Sequence, residues 1–167
     1  VISKVLTNCL KPLLPRIVSE NQSAFVPGRL ITGNVLVAFE TMRCIHLRTK
    51  GKLAHMAFKL DMSKAYDRVE WNFLEAVMEK MGFDGRWINW VMTCVRSVSY
   101  SVLVNDKPRP SFKPCRGIRQ GDPLSPYLFI LRAEALSGLI RKGVDSGTVS
   151  GVKVGKDGPI ISYLFFV

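Results

Sequence analysis

The sequence lacks any apolar run near the roughly twenty residues that a membrane span needs. Its first residues, VISKVLTNCLKPLLP, also lack the small-residue cleavage site of a secretory signal peptide. We therefore expect an intracellular protein with no membrane partner. A length of 167 residues and a hydrophobic share of 47% suit one globular domain with a buried core.

Cysteine and histidine are scarce and widely spaced. The four cysteines, Cys9, Cys44, Cys94 and Cys115, form no Cys-x-x-Cys pair, and the two histidines have no zinc-finger spacing. Free thiols in an intracellular compartment fit this pattern better than a disulfide framework.

Acidic residues are few compared with basic ones. Lys and Arg total 24 against 13 Asp and Glu, which gives a formal net charge of +11. The basic residues are spread along the chain, so they indicate a basic folded surface rather than a disordered arm. Such a surface favours an anionic partner, above all nucleic acid, although a soluble basic domain without specific binding is the alternative.

Apolar periodicity predicts five helices, and neither repeats nor a domain linker interrupts the pattern. Pro12 and Pro15 are expected to end the first helix, and Gly82 to close the third. The aromatic and methionine residues within these stretches are expected to be core. The predicted helices cover Ile2–Cys9, Asn34–Arg48, Trp71–Met81, Trp87–Val95 and Leu124–Arg141.

Shorter segments have the composition of strands. The run from His55 to Leu60 predicts a mostly buried strand that ends at Asp61. Alternation over 100–104 and the turn signal at 105–108 predict a hairpin whose second arm runs towards Cys115. Two further strands, 149–154 and 160–167, are expected on either side of the turn at 155–158. The sequence therefore predicts the α+β class.

Two segments have residues suited to catalysis or binding. In the first, LDMSKAYD, Asp61 and Asp67 read as surface carboxylates, but a carboxylate at a strand end is also well placed to bind Mg²⁺. The second, RGIRQGDPLSPYLF at 116–129, combines glycines and basic residues at a helix start, where phosphate or a base edge can bind. As an ordinary loop it has Asp122 as N-cap and Pro123 at the first helical position, and capping is compatible with binding.

Three motifs in this order resemble the reverse transcriptases of LINE-type non-LTR retrotransposons. They are QSAFVPGR at 22–29, FKLDMSKAYDRVEW at 58–71 and RGIRQGDPLSPYLF at 116–129. The resemblance implies a partial right-hand polymerase, with fingers residues in 1–54 and an incomplete palm in 55–167. Its antiparallel palm sheet would be backed by helices and would end before the Asp-Asp motif.

The resemblance also implies roles for individual residues. Asp61 would be the catalytic metal-binding carboxylate, with the Met62 carbonyl as a second ligand, for Mg²⁺ or alternatively Mn²⁺. Tyr66 would lie under the incoming sugar and exclude a 2′-hydroxyl, and Met62 would also border the nucleotide. The remaining implied contacts are Gln120 and Gly121 with the nucleotide, and Arg29 and Arg119 with template or phosphate.

The implied reaction extends a DNA primer on an RNA template with deoxynucleoside triphosphates. An upstream endonuclease domain, and a retroelement ribonucleoprotein in the nucleus or cytoplasm, would accompany it. Gly33 and Val167 depart from the family pattern, and the chain ends before the adjacent carboxylates, so we expect it to be inactive alone. The alternatives are a non-catalytic basic nucleic-acid-binding remnant and a piece of a polymerase resembling a group II intron maturase.

Overall fold

A computed structural model describes residues 1–47 and 55–166. The chain divides into two compact units. The first unit combines Val1–Pro12 with Met62–Arg132, and the second combines Leu13–Asp61 with Ala133–Val167.

Six α-helices and four short β-strands form the described part of the chain. The helices are α1 (Ile2–Leu10), α2 (Leu14–Ile17), α3 (Ile31–Leu47), α4 (Trp71–Lys80), α5 (Gly85–Arg96) and α6 (Ser125–Asp145). The strands are β1 (Leu103–Val104), β2 (Lys107–Pro108), β3 (Val152–Lys153) and β4 (Ile160–Ile161). The predicted helices are confirmed with small shifts of their ends, except that Arg48 lies outside the described residues.

The first unit is built around α4 and α5, which pack against each other, and α1 packs on α5. Gly82 adopts φ +81°, and the amide of Phe83 donates to the carbonyl of Met78 at 3.1 Å, so a Schellman-type cap ends α4. The Asp84 carboxylate then accepts from the Arg86 amide at 3.0 Å and caps α5. Fully buried side chains from these helices and from α6 form the core, among them Leu10, Leu74, Met78, Val91, Leu128, Ile130 and Leu131.

The predicted hairpin of the first unit is confirmed. β1 and β2 pair antiparallel, with Val104 opposite Lys107. The two loop residues, Asn105 and Asp106, have φ +52° and +60°, as a tight turn that matches the strand twist requires. Backbone hydrogen bonds between Tyr100 and Phe112 extend the pairing beyond the strands.

The second unit contains the other two-stranded sheet. β3 and β4 pair antiparallel with Val152 opposite Ile161, which confirms the last predicted hairpin over a shorter length. α3 packs against β3. The chain after β4 forms a parallel bridge between Phe165 and Gln22, and the Asn34 amide donates to the carbonyls of Asn21 and Phe165, both at 2.9 Å.

The first helix ends as predicted, since α1 stops at Leu10, just before Pro12. A helix that was not predicted follows: Pro12 lies in a 3₁₀ turn at Lys11–Leu13, and Pro15 lies in the first turn of α2, where its missing N–H removes no helical bond. One strand prediction is wrong. The segment 55–61 is not a buried strand: it pairs with no residue that the structure describes, and Phe58 and Leu60 are 76% and 80% exposed.

The α+β class is therefore confirmed, with small antiparallel sheets. Among the described residues the strands form two separate pairs rather than one palm sheet. No described helix is both long enough and apolar enough to cross a membrane.

Candidate functional site

Two segments about fifty residues apart in sequence meet in the first unit. The Ile118 amide donates to the Tyr66 carbonyl at 3.0 Å, and the Gly117 amide donates to the Val69 carbonyl at 2.8 Å. The Trp71 indole N–H donates to the Gly117 carbonyl at 2.7 Å. The loop that precedes α6 is therefore fastened to the segment that carries Tyr66.

Gly117 makes this close approach possible. Its φ is +88°, and a Cβ atom at this position would lie 3.2 Å from the Cα and the carbonyl oxygen of Asp67. Only glycine adopts this backbone conformation without strain and leaves room for the neighbouring chain. The glycine thus sets the spacing between the two segments.

Tyr66 lies in the turn at 63–68, which precedes α4. Its ring stacks on that of Phe129, with centroids 5.3 Å apart and planes within 3° of parallel. Phe129 is buried on α6, whereas Tyr66 is half-buried. Burial raises the pKa of the Tyr66 hydroxyl, so the side chain stays neutral at physiological pH. The structure therefore presents Tyr66 as a neutral ring with a fixed plane.

Gln120 and Gly121 occupy an exposed turn at the entrance to α6. Gly121 has φ +84° and open space on its Cβ side. The Asp122 carboxylate accepts from the Leu124 amide at 2.8 Å in the turn before α6. Because α6 begins at Ser125, the predicted positions of Asp122 as N-cap and Pro123 as first helical residue are wrong. The Arg119 and Gln120 side chains are exposed and make no hydrogen bond or ion pair with another described residue. They are free to contact a ligand.

Asp61 is exposed and lies outside any strand. Within residues 1–47 and 55–166, no three His, Cys, Asp or Glu side chains are close enough to hold a metal ion together. One carboxylate does not provide the oxygens that a pair of metal ions needs. The described residues therefore do not make a complete two-metal site.

Arg29 is held by the protein itself. Its guanidinium donates to the backbone carbonyls at the end of α2 and in the following loop, those of Pro15, Val18, Ser19 and Gln22. These bonds hold α2 and the loop after it to one side chain. They place Arg29 in a structural role, which its glycine-proline context did not reveal.

Sequence reasoning assigned no individual contact to Trp71, Gly117 or Phe129, which shape the site. Trp71 and Phe129 were expected only as core, and each instead has a specific contact with the loop or with Tyr66. Trp71 ends the motif at 58–71, and Phe129 ends the motif at 116–129. Their place in these motifs was the sequence signal that could have marked them as site residues.

Comparisons with known proteins identify the family. The family model described as reverse transcriptase (RNA-dependent DNA polymerase) matches residues 1–157. The chain belongs to the reverse transcriptase family. The expected kinship with LINE-type non-LTR elements is confirmed by its relatives.

Two of these relatives are transposon proteins. The uncharacterized 149 kDa protein of transposon TX1 from Xenopus laevis is 30% identical over 85% of this chain and 11% of its own length. The Retrovirus-related Pol polyprotein from the type-2 retrotransposable element R2DM of Drosophila melanogaster is 31% identical over 69% of this chain and 11% of its own length. This reverse transcriptase chain thus spans about a tenth of each.

A third relative is an uncharacterized mitochondrial protein of Arabidopsis thaliana, 48% identical over 38% of this chain and 52% of its own length. The chain spans about half the length of this relative.

Proposed function

We propose that this chain contributes the nucleotide-selecting part of an RNA-directed DNA polymerase of a LINE-type retroelement. The observation that carries the proposal is the Tyr66 segment fastened to the loop before α6, with the Tyr66 ring stacked on Phe129. A rigid aromatic surface beside an exposed Gln-Gly turn suits the sugar and base of a nucleoside triphosphate.

The proposed roles follow from the family's motifs. Tyr66 excludes the 2′-hydroxyl, Gln120 and Gly121 contact the nucleotide, and Met62 borders it. Asp61 and the Met62 carbonyl are proposed ligands of Mg²⁺, which needs further carboxylates. Arg119 contacts template or phosphate, whereas the bonds of Arg29 favour a structural role over that contact.

The larger setting is likewise proposed. We assign residues 1–54 to the fingers and 55–167 to the palm of a right-hand polymerase, which uses deoxynucleoside triphosphates. An endonuclease domain in the same polyprotein and a retroelement ribonucleoprotein in the nucleus or cytoplasm complete this setting.

The first test is primer extension on an RNA template by the longest reading frame that contains this sequence. Asp61→Asn should lower extension by more than about 100-fold, since even outer-shell partners of a bound metal are worth 10- to 100-fold. Asp157→Asn, an equal change at an exposed turn of the second unit, is the control and should leave extension unchanged. Full activity of Asp61→Asn would remove this residue from the metal site.

The second test concerns Tyr66. Tyr66→Ala should admit ribonucleotides on the order of 10-fold more readily, because an open pocket no longer rejects the extra hydroxyl. Tyr66→Phe keeps the ring and should keep the discrimination. Equal discrimination in Tyr66→Ala and the parent would contradict the assigned role.

A second candidate is nucleic-acid binding without turnover, which the net charge of +11 favours. The same assay separates the two functions. Duplex binding by the complete reading frame without any primer extension would support the binding function and overturn the polymerase.

A further inference from the structure

Four side chains of the first unit form a continuous series that the assigned motifs do not explain. Phe129 and Arg132 lie one turn apart on α6, so their side chains share one face. The Phe129 ring stacks on Tyr66. The Arg132 guanidinium lies 5.8 Å from the centroid of the same Phe129 ring, and its Nη1 is 3.2 Å from Sδ of Met62.

The contact between Phe129 and Tyr66 restricts the tyrosine ring. Phe129 is only 5% exposed, so the surrounding core holds its own ring. A stacked partner whose plane differs by 3° stabilises the observed orientation of the Tyr66 ring. Without Phe129 the half-buried side chain of Tyr66 would be free to adopt other rotamers on its solvent-exposed side.

Arg132 links this pair to the residue beside the candidate metal ligand. Its cation faces the aromatic ring, and its N–H reaches the thioether of Met62, which directly follows Asp61 in sequence. No described carboxylate lies within ion-pair distance of Arg132. In the first unit Arg132 therefore contacts the Phe129 ring and the Met62 sulfur.

We propose that Phe129 and Arg132 are positioning residues that set the sugar discrimination of the polymerase. Phe129 holds the Tyr66 ring in the orientation in which it contacts the sugar. Arg132 fixes the positions of Phe129 and Met62 relative to that ring. The inference rests on the proposed function, because it assigns to α6 the control of a gate that Tyr66 forms.

The test measures kcat/KM for a deoxynucleotide and for the matching ribonucleotide in the complete reading frame. Phe129→Leu should lower the ratio of the two values roughly 2- to 10-fold, the worth of an aromatic pair, while deoxynucleotide extension continues. Phe129→Tyr keeps the stack and should keep the ratio. Arg132→Gln should lower the ratio in the same direction by a smaller factor.

Two controls separate positioning from a general loss of structure. Leu131→Val removes volume from a fully buried neighbour on α6, and it should leave the ratio unchanged. In the Tyr66→Ala background, Phe129→Leu should cause no further loss of discrimination, because its effect passes through the missing ring.

The outcomes are distinguishable. An active parent enzyme whose discrimination is unchanged in Phe129→Leu overturns the positioning role and leaves the polymerase intact. A further loss in the Tyr66→Ala background overturns the route through Tyr66. A parent enzyme that binds template and primer yet extends nothing overturns the proposed function and this inference together.

Discussion

At the scale of single residues, Gly117 and Gly121 share a left-handed backbone but differ in surroundings. Gly117 has φ +88° and faces the backbone of Asp67, whereas Gly121 has φ +84° and faces open space. The strain of a left-handed alanine is therefore common to both positions, and only Gly117 adds a steric contact. The pair can separate these two effects.

We predict that Gly117→Ala lowers the free energy of unfolding more than Gly121→Ala does. The left-handed conformation costs an alanine about 1–2 kcal/mol at either position. At Gly117 the new methyl group must also displace the Asp67 backbone, as its 3.2 Å separation requires. Denaturant unfolding of both variants measures the difference, and equal losses would contradict the close approach.

Glu134 is a second residue whose setting has a measurable consequence. Its Oε1 accepts from the Ser19 hydroxyl at 3.2 Å, and the buried Ser137 hydroxyl connects Ser19 with Tyr163. Burial raises the pKa of Glu134, although the bonds from Ser19 and the charges of Arg141 and Arg29 oppose that shift. The folded second unit thus favours the protonated acid.

Because the folded pKa lies above the ordinary value of 4.5, the folded state binds more protons than the unfolded chain between the two values. The stabilisation from Glu134 is therefore fully present below the unfolded pKa and is lost as pH rises through the folded pKa. We predict that Glu134→Gln abolishes this loss of stability with rising pH, because glutamine does not ionise. Unfolding curves over this pH range measure it, with the exposed Glu79→Gln as control; identical pH profiles for parent and Glu134→Gln would contradict the prediction.

At the scale of elements, the segment 55–61 shows how a strand-like sequence can fail to form a strand. Its large apolar residues alternate at Met56, Phe58 and Leu60, and all three are at least 76% exposed. A strand needs a partner for its backbone N–H and C=O groups, and none of the described residues pairs with this segment. Composition alone does not supply that partner.

Leu60 and Leu74 provide a direct test of this difference. Leu74 on α4 is 0% exposed, so Leu74→Ala should lower the free energy of unfolding by about 2–5 kcal/mol. Leu60 is 80% exposed, so Leu60→Ala should change it by less than about 0.5 kcal/mol. Comparable losses in the two variants would indicate that the segment is buried after all.

At the scale of the whole molecule, the net charge of +11 predicts binding to phosphate backbones with little sequence preference. Affinity for a short RNA should fall about 10-fold or more between roughly 50 and 200 mM salt, because binding releases condensed counterions. RNAs of different sequence should bind alike. An affinity that does not change with salt would contradict the electrostatic origin.

Two arginines refine the same measurement. The Arg119 side chain is exposed and has no partner among the described residues. If it contacts a phosphate, Arg119→Gln should reduce the slope of log affinity against log salt concentration by about 1. Arg29 already donates to backbone carbonyls, so Arg29→Gln should leave the slope unchanged and lower stability instead. The opposite pattern would reverse the two roles.

The sequence by itself determined the family, the α+β class, five of the six described α-helices and both hairpins. These features depend on local information: apolar periodicity, the closing glycine Gly82, and the turn at Asn105 and Asp106. The order of the motifs at 22–29, 58–71 and 116–129 then indicated a reverse transcriptase, because the resemblance depends on all three occurring in one chain.

Only the tertiary structure decided which groups meet. The Tyr66 ring against Phe129, the Trp71 indole on the Gly117 carbonyl, and Arg29 on the loop carbonyls join residues that are 7 to 63 positions apart. No local pattern encodes such contacts, because they depend on how the elements pack. For the same reason the segment 55–61 read as a buried strand, since burial is a property of what surrounds a segment and not of its composition.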